Sequence, residues 1–167
     1  EKKHMSIRHK LCEYGTGIPS ILTILFGAAY GSVNTFIAMM TSEVGIENAG
    51  LFFIVGTIFV FISRPFGGRI FDSKGGFWVI LPGGILYLIG LGILVSAQSL
   101  TVLLVASVFY GFGGGLLLPS LMTWMLNVVT PDRRSGASAT FYNMLDIGTS
   151  SGIILLGSVA GSIGYVN

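Results

Sequence analysis

The strongest constraint on this chain is a run of five long apolar stretches that carry almost no charge. Each stretch, with its flanking residues, is long enough to cross a hydrocarbon layer about 30 Å thick as a helix. We place them at Ile18–Thr41, Ala49–Ser63, Phe77–Ala97, Leu100–Asn127 and Gly136–Ile163, with the second continuing through Pro65 towards Phe71. None alternates strictly between apolar and polar residues, which disfavours a transmembrane β-barrel. The sequence therefore predicts an all-α membrane protein.

The composition excludes several other classes of protein. Charged residues make up 10% of the sequence, whereas a soluble domain carries about 25%. The single cysteine, Cys12, rules out an intrachain disulfide and a metal site built from several cysteines. We expect no cofactor. The first residue is Glu1 and no cleavable signal peptide is evident, so we expect the chain to be part of a longer protein.

The positions of the basic residues predict the orientation. All nine lysines and arginines precede the first stretch or lie between the second and third or the fourth and fifth stretches. The connection after the first stretch contains the acidic residues Glu43 and Glu47 instead. Because basic connections stay in the cytoplasm, the chain is predicted to enter the membrane from the cytoplasmic side.

Three segments of the sequence contain recognisable motifs. In the first, Arg64 to Gly76, the motif consists of Gly68, Asp72 and Gly75. The other two are the segment 131–137 and the segment 110–119 with its glycines and a proline. The first resembles a cytoplasmic loop signature of the major facilitator superfamily, although Ser73 replaces a usual basic residue, and the other two are similar to the loop that opens helix eleven and to helix ten of that family. The resemblance covers nearly the whole chain.

This resemblance implies an architecture and a function. Residues 14–167 would form helices seven to eleven of a six-helix half-bundle, the C-terminal transmembrane half with its last helix missing, and residues 1–13 would end the cytoplasmic linker. The intact protein would be a multi-pass secondary active transporter of the bacterial plasma membrane. We expect proton-coupled efflux of a small amphipathic compound by alternating access, as in bacterial multidrug-type members. The alternatives are an uptake permease for a small metabolite and an inactive half-transporter.

The resemblance also implies the partners. They are a small-molecule substrate, protons, the lipid bilayer and the N-terminal six-helix half of the same protein; no nucleic acid is expected. Enzymatic activity is not expected either. Gly148–Gly152 matches the Gly-x-Ser-x-Gly pattern of hydrolases, but it lies within an apolar stretch and both histidines lie in the N-terminal tail, so the strand–turn–helix context is missing.

One acidic residue lies inside the fifth stretch. Asp146 falls roughly 18 Å beyond Arg134 along a helix, near the middle of the hydrocarbon. A carboxylate at that depth usually faces a bundle interior or a watery cavity, and a low dielectric favours its protonated form. Asn143 and Tyr142 precede it by three and four residues, on neighbouring parts of the helix face. The sequence predicts a proton or cargo site here; the alternative is a carboxylate that joins helices by hydrogen bonds.

Three further residues are candidates for the cargo cavity. Tyr30 and Asn34 lie near mid-depth in the first stretch, and Tyr110 lies in the fourth. Aromatic rings can stack on an amphipathic cargo or bind a cation over the ring face. The alternative for each residue is ordinary helix packing.

A group of charged residues and one glycine predicts a cytoplasmic gate. In such a gate Asp72 pairs with Arg69, Arg133 or Arg134 when the cytoplasmic ends close, and it can also accept hydrogen bonds at a helix N-terminus. The alternative is a set of solvated charges that only fix the topology. The predicted gate residues are Arg64, Gly68, Arg69, Asp72, Arg133 and Arg134.

Four pairs of glycines with four-residue spacing predict close packing between helices, because small residues let backbones approach. Static packing and sliding of helices during alternating access are both consistent with this pattern. The pairs are Gly27 with Gly31, Gly111 with Gly115, Gly148 with Gly152 and Gly157 with Gly161.

The predicted orientation can be tested by thiol labelling in a Cys12→Ser background. We expect Glu43→Cys to react with a membrane-impermeant reagent added outside intact cells, because its connection contains no basic residue. Lys74→Cys should react only after the cells are opened. Labelling of Lys74→Cys in sealed cells would reverse the orientation.

Overall fold

The computed structural model describes residues 16–46 and 48–163, and these residues form five long helices. A short 3₁₀ turn, Pro131–Arg133, precedes the last helix, and the described ranges contain no strand. The all-helical prediction is confirmed. The helices are α1 Gly17–Val44, α2 Gly50–Lys74, α3 Phe77–Val95, α4 Leu100–Asn127 and α5 Arg134–Ile163. The predicted linker 1–13, together with Cys12, lies outside the described residues.

Four of the helices, α1 to α4, are long and apolar enough to cross a membrane. Helix α5 has 30 residues, which is also sufficient length, but it contains more polar side chains, including Asn143 and Asp146. The chain is therefore an all-α membrane protein, and the crossing of α5 remains a prediction.

Two helix boundaries differ by a few residues from the predicted ones. The predicted continuation of α2 through Pro65 is confirmed, because a membrane helix tolerates the missing hydrogen bond when its surroundings adjust, but the helix ends at Lys74 rather than near Phe71. Helix α5 begins at Arg134, two residues before the predicted start. The preceding turn carries Pro131 at its first position, where the fixed φ of proline favours helix initiation.

A tight connection joins α2 to α3. Gly75 has a φ of 89°, a left-handed conformation that a side chain would strain. Its backbone N–H donates to the carbonyl oxygen of Phe71 and closes the end of α2. The two helices pack against each other as a hairpin, so that the end of α2 and the start of α3 lie at the same end of the hairpin.

The described residues divide into two compact units. The first contains α1 up to Thr35 and the segment Leu121–Ala160, which includes most of α5. Here a Cβ atom added at Gly27 would lie 2.6 Å from the carbonyl oxygen of Leu145, and one added at Gly31 would lie 2.7 Å from that of Thr149. The two helix backbones are therefore in direct contact.

The contact in the first unit has the same spacing on both helices. Residue numbers increase together along it, so α1 and α5 run parallel. We call it the α1–α5 seam; it joins Ile24, Gly27, Ala28 and Gly31 of α1 to Leu145, Gly148, Thr149 and Gly152 of α5. Two of the predicted glycine pairs thus pack against each other. The fourth predicted pair ends at Gly161, which lies outside the residues whose side-chain surroundings are described.

The second unit contains Phe36–Ser120 and, in the described residues, 161–163; in it α4 packs against both α2 and α3. A Cβ atom at Gly111 would meet the backbone of Gly56 in α2, and one at Gly113 would lie 2.8 Å from the carbonyl oxygen of Gly83 in α3. A Cβ atom at Gly115 would lie 2.8 Å from the backbone of Val60. Glycines at alternate positions of α4 therefore allow close packing of α2 on one side and of α3 on another.

These glycine contacts predict a large difference between two Gly→Ala substitutions. Gly148→Ala should lower the free energy of unfolding by about 1–3 kcal/mol, because the methyl group would overlap the Ile24 backbone. Gly92→Ala, on an open face of α3 with no neighbour within 4 Å, should be neutral or stabilise by about 0.5–1 kcal/mol. Thermal unfolding in detergent measures both, and equal melting temperatures would contradict the seam.

Candidate functional site

The parallel α1–α5 seam places four of the predicted cargo residues on one side of the helix pair. With about 100° between successive residues, Tyr30 lies roughly 110° from the centre of the α1 contact face in one rotational sense. Asp146 lies roughly 110° from the centre of the α5 contact face in the opposite sense. For parallel helices that face each other, opposite senses lead to the same side. Asn34 and Tyr142, each roughly 70° from its contact face, also lie there.

The seam contacts also give the heights of these residues along the helix pair. Gly31 meets Thr149 and Gly27 meets Leu145, while Ile24 meets Gly148 and Ala28 meets Gly152. On average Tyr30 therefore lies level with a position on α5 that is roughly one and a half helical turns beyond Asp146. We call this group, Tyr30, Asn34, Tyr142 and Asp146, the polar side of the seam.

All four residues of the polar side are exposed in the described chain. Tyr30 is 45% exposed and its ring stacks on Phe26 at 6.0 Å, while Tyr142 is 53% exposed and makes an edge contact with Phe141 at 5.4 Å. These ring contacts restrict where the two tyrosines can point. Both phenol rings thus present exposed surface on the same side of the helix pair as the carboxylate.

Asn34 is partly committed to its own helix. Its side-chain Nδ2 donates to the carbonyl oxygen of Tyr30 at 2.7 Å. An asparagine amide has two N–H donors, so one donor and the side-chain oxygen remain for other partners. The polar side therefore combines a carboxylate, two phenols and an amide, a set that can accept a proton, form hydrogen bonds and stack on an apolar ring.

Asn143 points elsewhere. It lies roughly 170° from the α5 contact face and so on the side of α5 away from α1. It is half-buried, whereas Asp146 is exposed. Asn143 and Asp146 are neighbours on α5, as helical spacing predicts. However, α5 packs on α1 through a face opposite to Asn143, so Asn143 points away from Tyr30. Its role in cargo binding stays a prediction.

Tyr110 lies in the second unit, inside an aromatic cluster. It is 8% exposed and packs on Tyr87 at 4.9 Å and on Phe52 at 5.3 Å between ring centroids. Sequence reasoning did not identify either partner. Gly83 and Gly90 lie on either side of Tyr87, seven residues apart, and therefore on one face of α3. This spacing could have predicted that the face packs against α4. The predicted cavity role of Tyr110 is untested.

The predicted gate residues fall into two groups. Arg64, Gly68, Arg69 and Asp72 are exposed on the last turns of α2, and the guanidinium of Arg64 lies 5.3 Å from the ring centroid of Phe61. The other two, Arg133 and Arg134, are exposed at the start of α5. The pairing of these two groups stays a prediction. Among the described residues, no cluster of His, Cys, Asp or Glu has the arrangement of a metal site.

The turn before α5 holds a carboxylate with a perturbed pKa. A hydrogen bond from the Thr130 side chain lowers the pKa of Asp132, and a backbone hydrogen bond and the charge of Arg133 act in the same direction. Asp132 lies in the first turn of the 3₁₀ segment, where a negative charge is favourable. The ionised form of Asp132 therefore helps to fix the turn that begins α5.

Residues 20–166 match the sequence model of the Major Facilitator Superfamily. The chain is also similar to three curated bacterial proteins. It is 28% identical over 106 residues to Multidrug resistance protein 3 of Bacillus subtilis, 25% identical over 151 residues to the Staphylopine export protein of Staphylococcus aureus, and 25% identical over 161 residues to the Proton-coupled antiporter flippase LtaA of Staphylococcus saprophyticus. No solved structure matches it significantly.

These alignments cover most of this chain but a minor part of the relatives. They include 64%, 87% and 95% of the chain and 21%, 38% and 38% of the respective relatives. The chain thus spans less than two fifths of the length of each.

The hydrogen bond in the turn predicts a change of pKa on substitution. Thr130→Val should raise the pKa of Asp132 towards its unfolded value of about 3.9, whereas Thr130→Ser should keep it low. Because the folded-state pKa is lowered, the stabilisation is present above the unfolded pKa and is lost as the pH falls through the folded pKa. NMR titration of ¹³C-labelled aspartate, assigned with Asp132→Asn, measures this. An unchanged pKa in Thr130→Val would exclude the hydroxyl as the cause.

Proposed function

Because the chain belongs to the Major Facilitator Superfamily, we propose that it forms part of a secondary active transporter that exports a small amphipathic compound in exchange for protons. In this proposal residues 14–167 belong to the C-terminal half of the transporter, and an N-terminal half of the same protein faces them. The membership identifies a transporter family rather than an enzyme family. The four apolar helices make the chain a multi-pass membrane protein.

The polar side of the seam is the observation that carries this proposal. Asp146, an acid within a helix of a membrane protein, lies on the same side as Tyr30 and Tyr142 and is exposed. Ionisable groups at membrane depth usually mark proton or substrate pathways. Two of the relatives are named as an export protein and a proton-coupled antiporter, which supports export and proton coupling for this chain.

The chemistry of exchange follows from the residues of the polar side. An ionised Asp146 can accept hydrogen bonds from a cargo or attract its positive charge, and the rings of Tyr30 and Tyr142 can stack on its apolar part. Protonation of Asp146 removes the charge and weakens the cargo contact. Cargo and proton therefore compete for one carboxylate, which is the requirement for exchange of one against the other.

The glycine seam suits the movement that alternating access requires. At Gly27 and Gly148 backbone meets backbone, and the Thr149 methyl group packs at Gly31, so a shift of α1 along α5 would displace few side chains. In this proposal the seam guides the motion, and the charges of Asp72 and its basic neighbours stabilise the closed end.

Asp146→Asn tests the proposal because it mimics a permanently protonated carboxyl group. In membrane vesicles we expect proton-driven export of fluorescent amphipathic dyes such as ethidium to fall at least tenfold. Exchange of dye across the membrane without a proton gradient should persist, and the pH dependence of export should disappear.

The matched control is Asp132→Asn, which neutralises an exposed carboxylate of the turn instead. It should retain proton-driven export and its pH dependence. If Asp146 only joins helices, Asp146→Asn should keep most hydrogen bonds and lose only a few degrees of melting temperature. Wild-type pH dependence of export in Asp146→Asn would remove this residue from the coupling mechanism.

A further inference from the structure

Ser20 differs from several other buried hydroxyl groups of the helices. Its side chain is 5% exposed, yet its Oγ atom makes no hydrogen bond within the described part of the chain. Thr23, Ser63 and Ser107 are buried as well, but each donates to a carbonyl oxygen of its own helix. Because buried hydroxyl groups normally bond to protein or to ordered water, the Oγ atom of Ser20 indicates a water site.

Ser20 lies between two other buried hydroxyl groups on one side of α1. With about 100° between successive residues, Ser20 lies roughly 30° and Thr23 roughly 90° from the centre of the α1 contact face, in the same rotational sense as Tyr30. Thr16 lies one turn before Ser20, whose backbone N–H donates to the Thr16 carbonyl oxygen at 2.9 Å. We call Thr16, Ser20 and Thr23, all of them buried, the hydroxyl line.

The register of the seam places the hydroxyl line between Asp146 and the end of the helix pair at which α1 and α5 begin. On average Thr23 lies level with a position on α5 roughly half a helical turn before Asp146, and Ser20 with one roughly one and a half turns before it. The basic residues predict that this end faces the cytoplasm. The hydroxyl line therefore leads from the height of the carboxylate towards the predicted cytoplasmic surface.

We propose that the hydroxyl line binds water molecules that connect Asp146 to the cytoplasm and carry its protons. This inference rests on the proposed exchange of protons at Asp146. When the carboxyl group releases its proton, its O–H bond breaks and a new O–H bond forms on the nearest water, which passes one of its own protons to the next. Ser20 stays neutral and acts as a positioning residue, because its hydroxyl has one donor and two acceptor sites with which to orient water.

The other ionisable groups around this route leave a gap that water is suited to bridge. In the described parts of α1, α5, the turn before α5 and the end of α4 in the same unit, the ionisable side chains besides Asp146 are Tyr30, Glu43, Asp132, Arg133, Arg134 and Tyr142. Glu43 lies in the last turn of α1, whereas Asp132, Arg133 and Arg134 lie at the start of α5. Between Asp146 and these three residues there is no second carboxylate in the described chain.

Silver ions test the water site without a measurement of transport. In a Cys12→Ser background, Ser20→Cys leaves a single thiol in this chain, and Ag⁺ reaches a buried thiol only through water. We expect Ag⁺ added to membrane vesicles to block most of the later maleimide labelling of the denatured Ser20→Cys protein. The matched control is Ser107→Cys, at a buried serine whose hydroxyl donates to the Leu104 carbonyl oxygen; it should remain labelled.

Two substitutions at Ser20 separate the hydroxyl group from packing. Ser20→Ala should slow proton-driven dye export by roughly fivefold, the contribution of about one hydrogen bond, and leave dye binding to the detergent-solubilised protein unchanged. Ser20→Thr retains the hydroxyl group and should retain the wild-type rate. Exchange of dye without a proton gradient should be unchanged in both variants.

Two results would overturn the inference directly. Silver ions that fail to protect Ser20→Cys would show that the site is dry, and a wild-type export rate in Ser20→Ala, or an equal loss in Ser20→Thr, would exclude a role for the hydroxyl group. The silver measurement can fail while Asp146→Asn supports the proposed function. Conversely, wild-type pH dependence in Asp146→Asn would refute the proposed function, and the proton role of Ser20 with it, even where silver reaches Ser20→Cys.

Discussion

Direct contact between helix backbones is the interaction on which the rest of this structure depends. Lipid and apolar side chains are equally apolar, so burial of apolar surface gives little drive for helices to associate within a membrane. Close approach adds dispersion contacts and brings Cα–H groups towards carbonyl oxygens. Gly27, Gly31, Gly148 and Gly152 supply this approach in one unit, and Gly56, Gly111 and Gly113 supply it in the other. In the first unit the same contact also sets the rotation that places Tyr30 and Asp146 on one side of the helix pair.

Several hydroxyl groups within the helices donate to carbonyl oxygens of their own helix. Thr23 donates to the carbonyl oxygen of Pro19 at 2.7 Å, Thr41 to that of Ile37 at 2.9 Å and Ser63 to that of Val60 at 2.8 Å. These bonds satisfy a polar group without a second helix, as hydrocarbon requires. Asp146 differs because a carboxylate has no proton to donate to its own backbone when ionised, so it needs a partner from outside its helix.

The fold could be predicted from the sequence further than the site could. Apolar length locates α3 and α4 to within two residues, because nothing but a helix satisfies the backbone across so many apolar residues. The glycine spacing identifies a packing face on α1 and another on α5, but spacing along one helix cannot identify its partner. The position of the partner helix decides which residues of α5, Asn143 or Asp146, lie on the same side as Tyr30. Likewise, a tyrosine such as Tyr110 has the same local pattern in an aromatic core as in a cavity wall, and only the contacts with Phe52 and Tyr87 reveal its surroundings.

The α1–α5 seam has a consequence for how the protein is made. About 120 residues separate Gly27 from Gly148, and a ribosome adding about 5–20 residues per second needs roughly 6–24 s to synthesise them. During that interval α1 exists while its partner does not. The small-residue face of α1 must therefore pack against something else, such as lipid or another helix. Assembly of the polar side is consequently a late event in biogenesis, completed only after α5 has been synthesised.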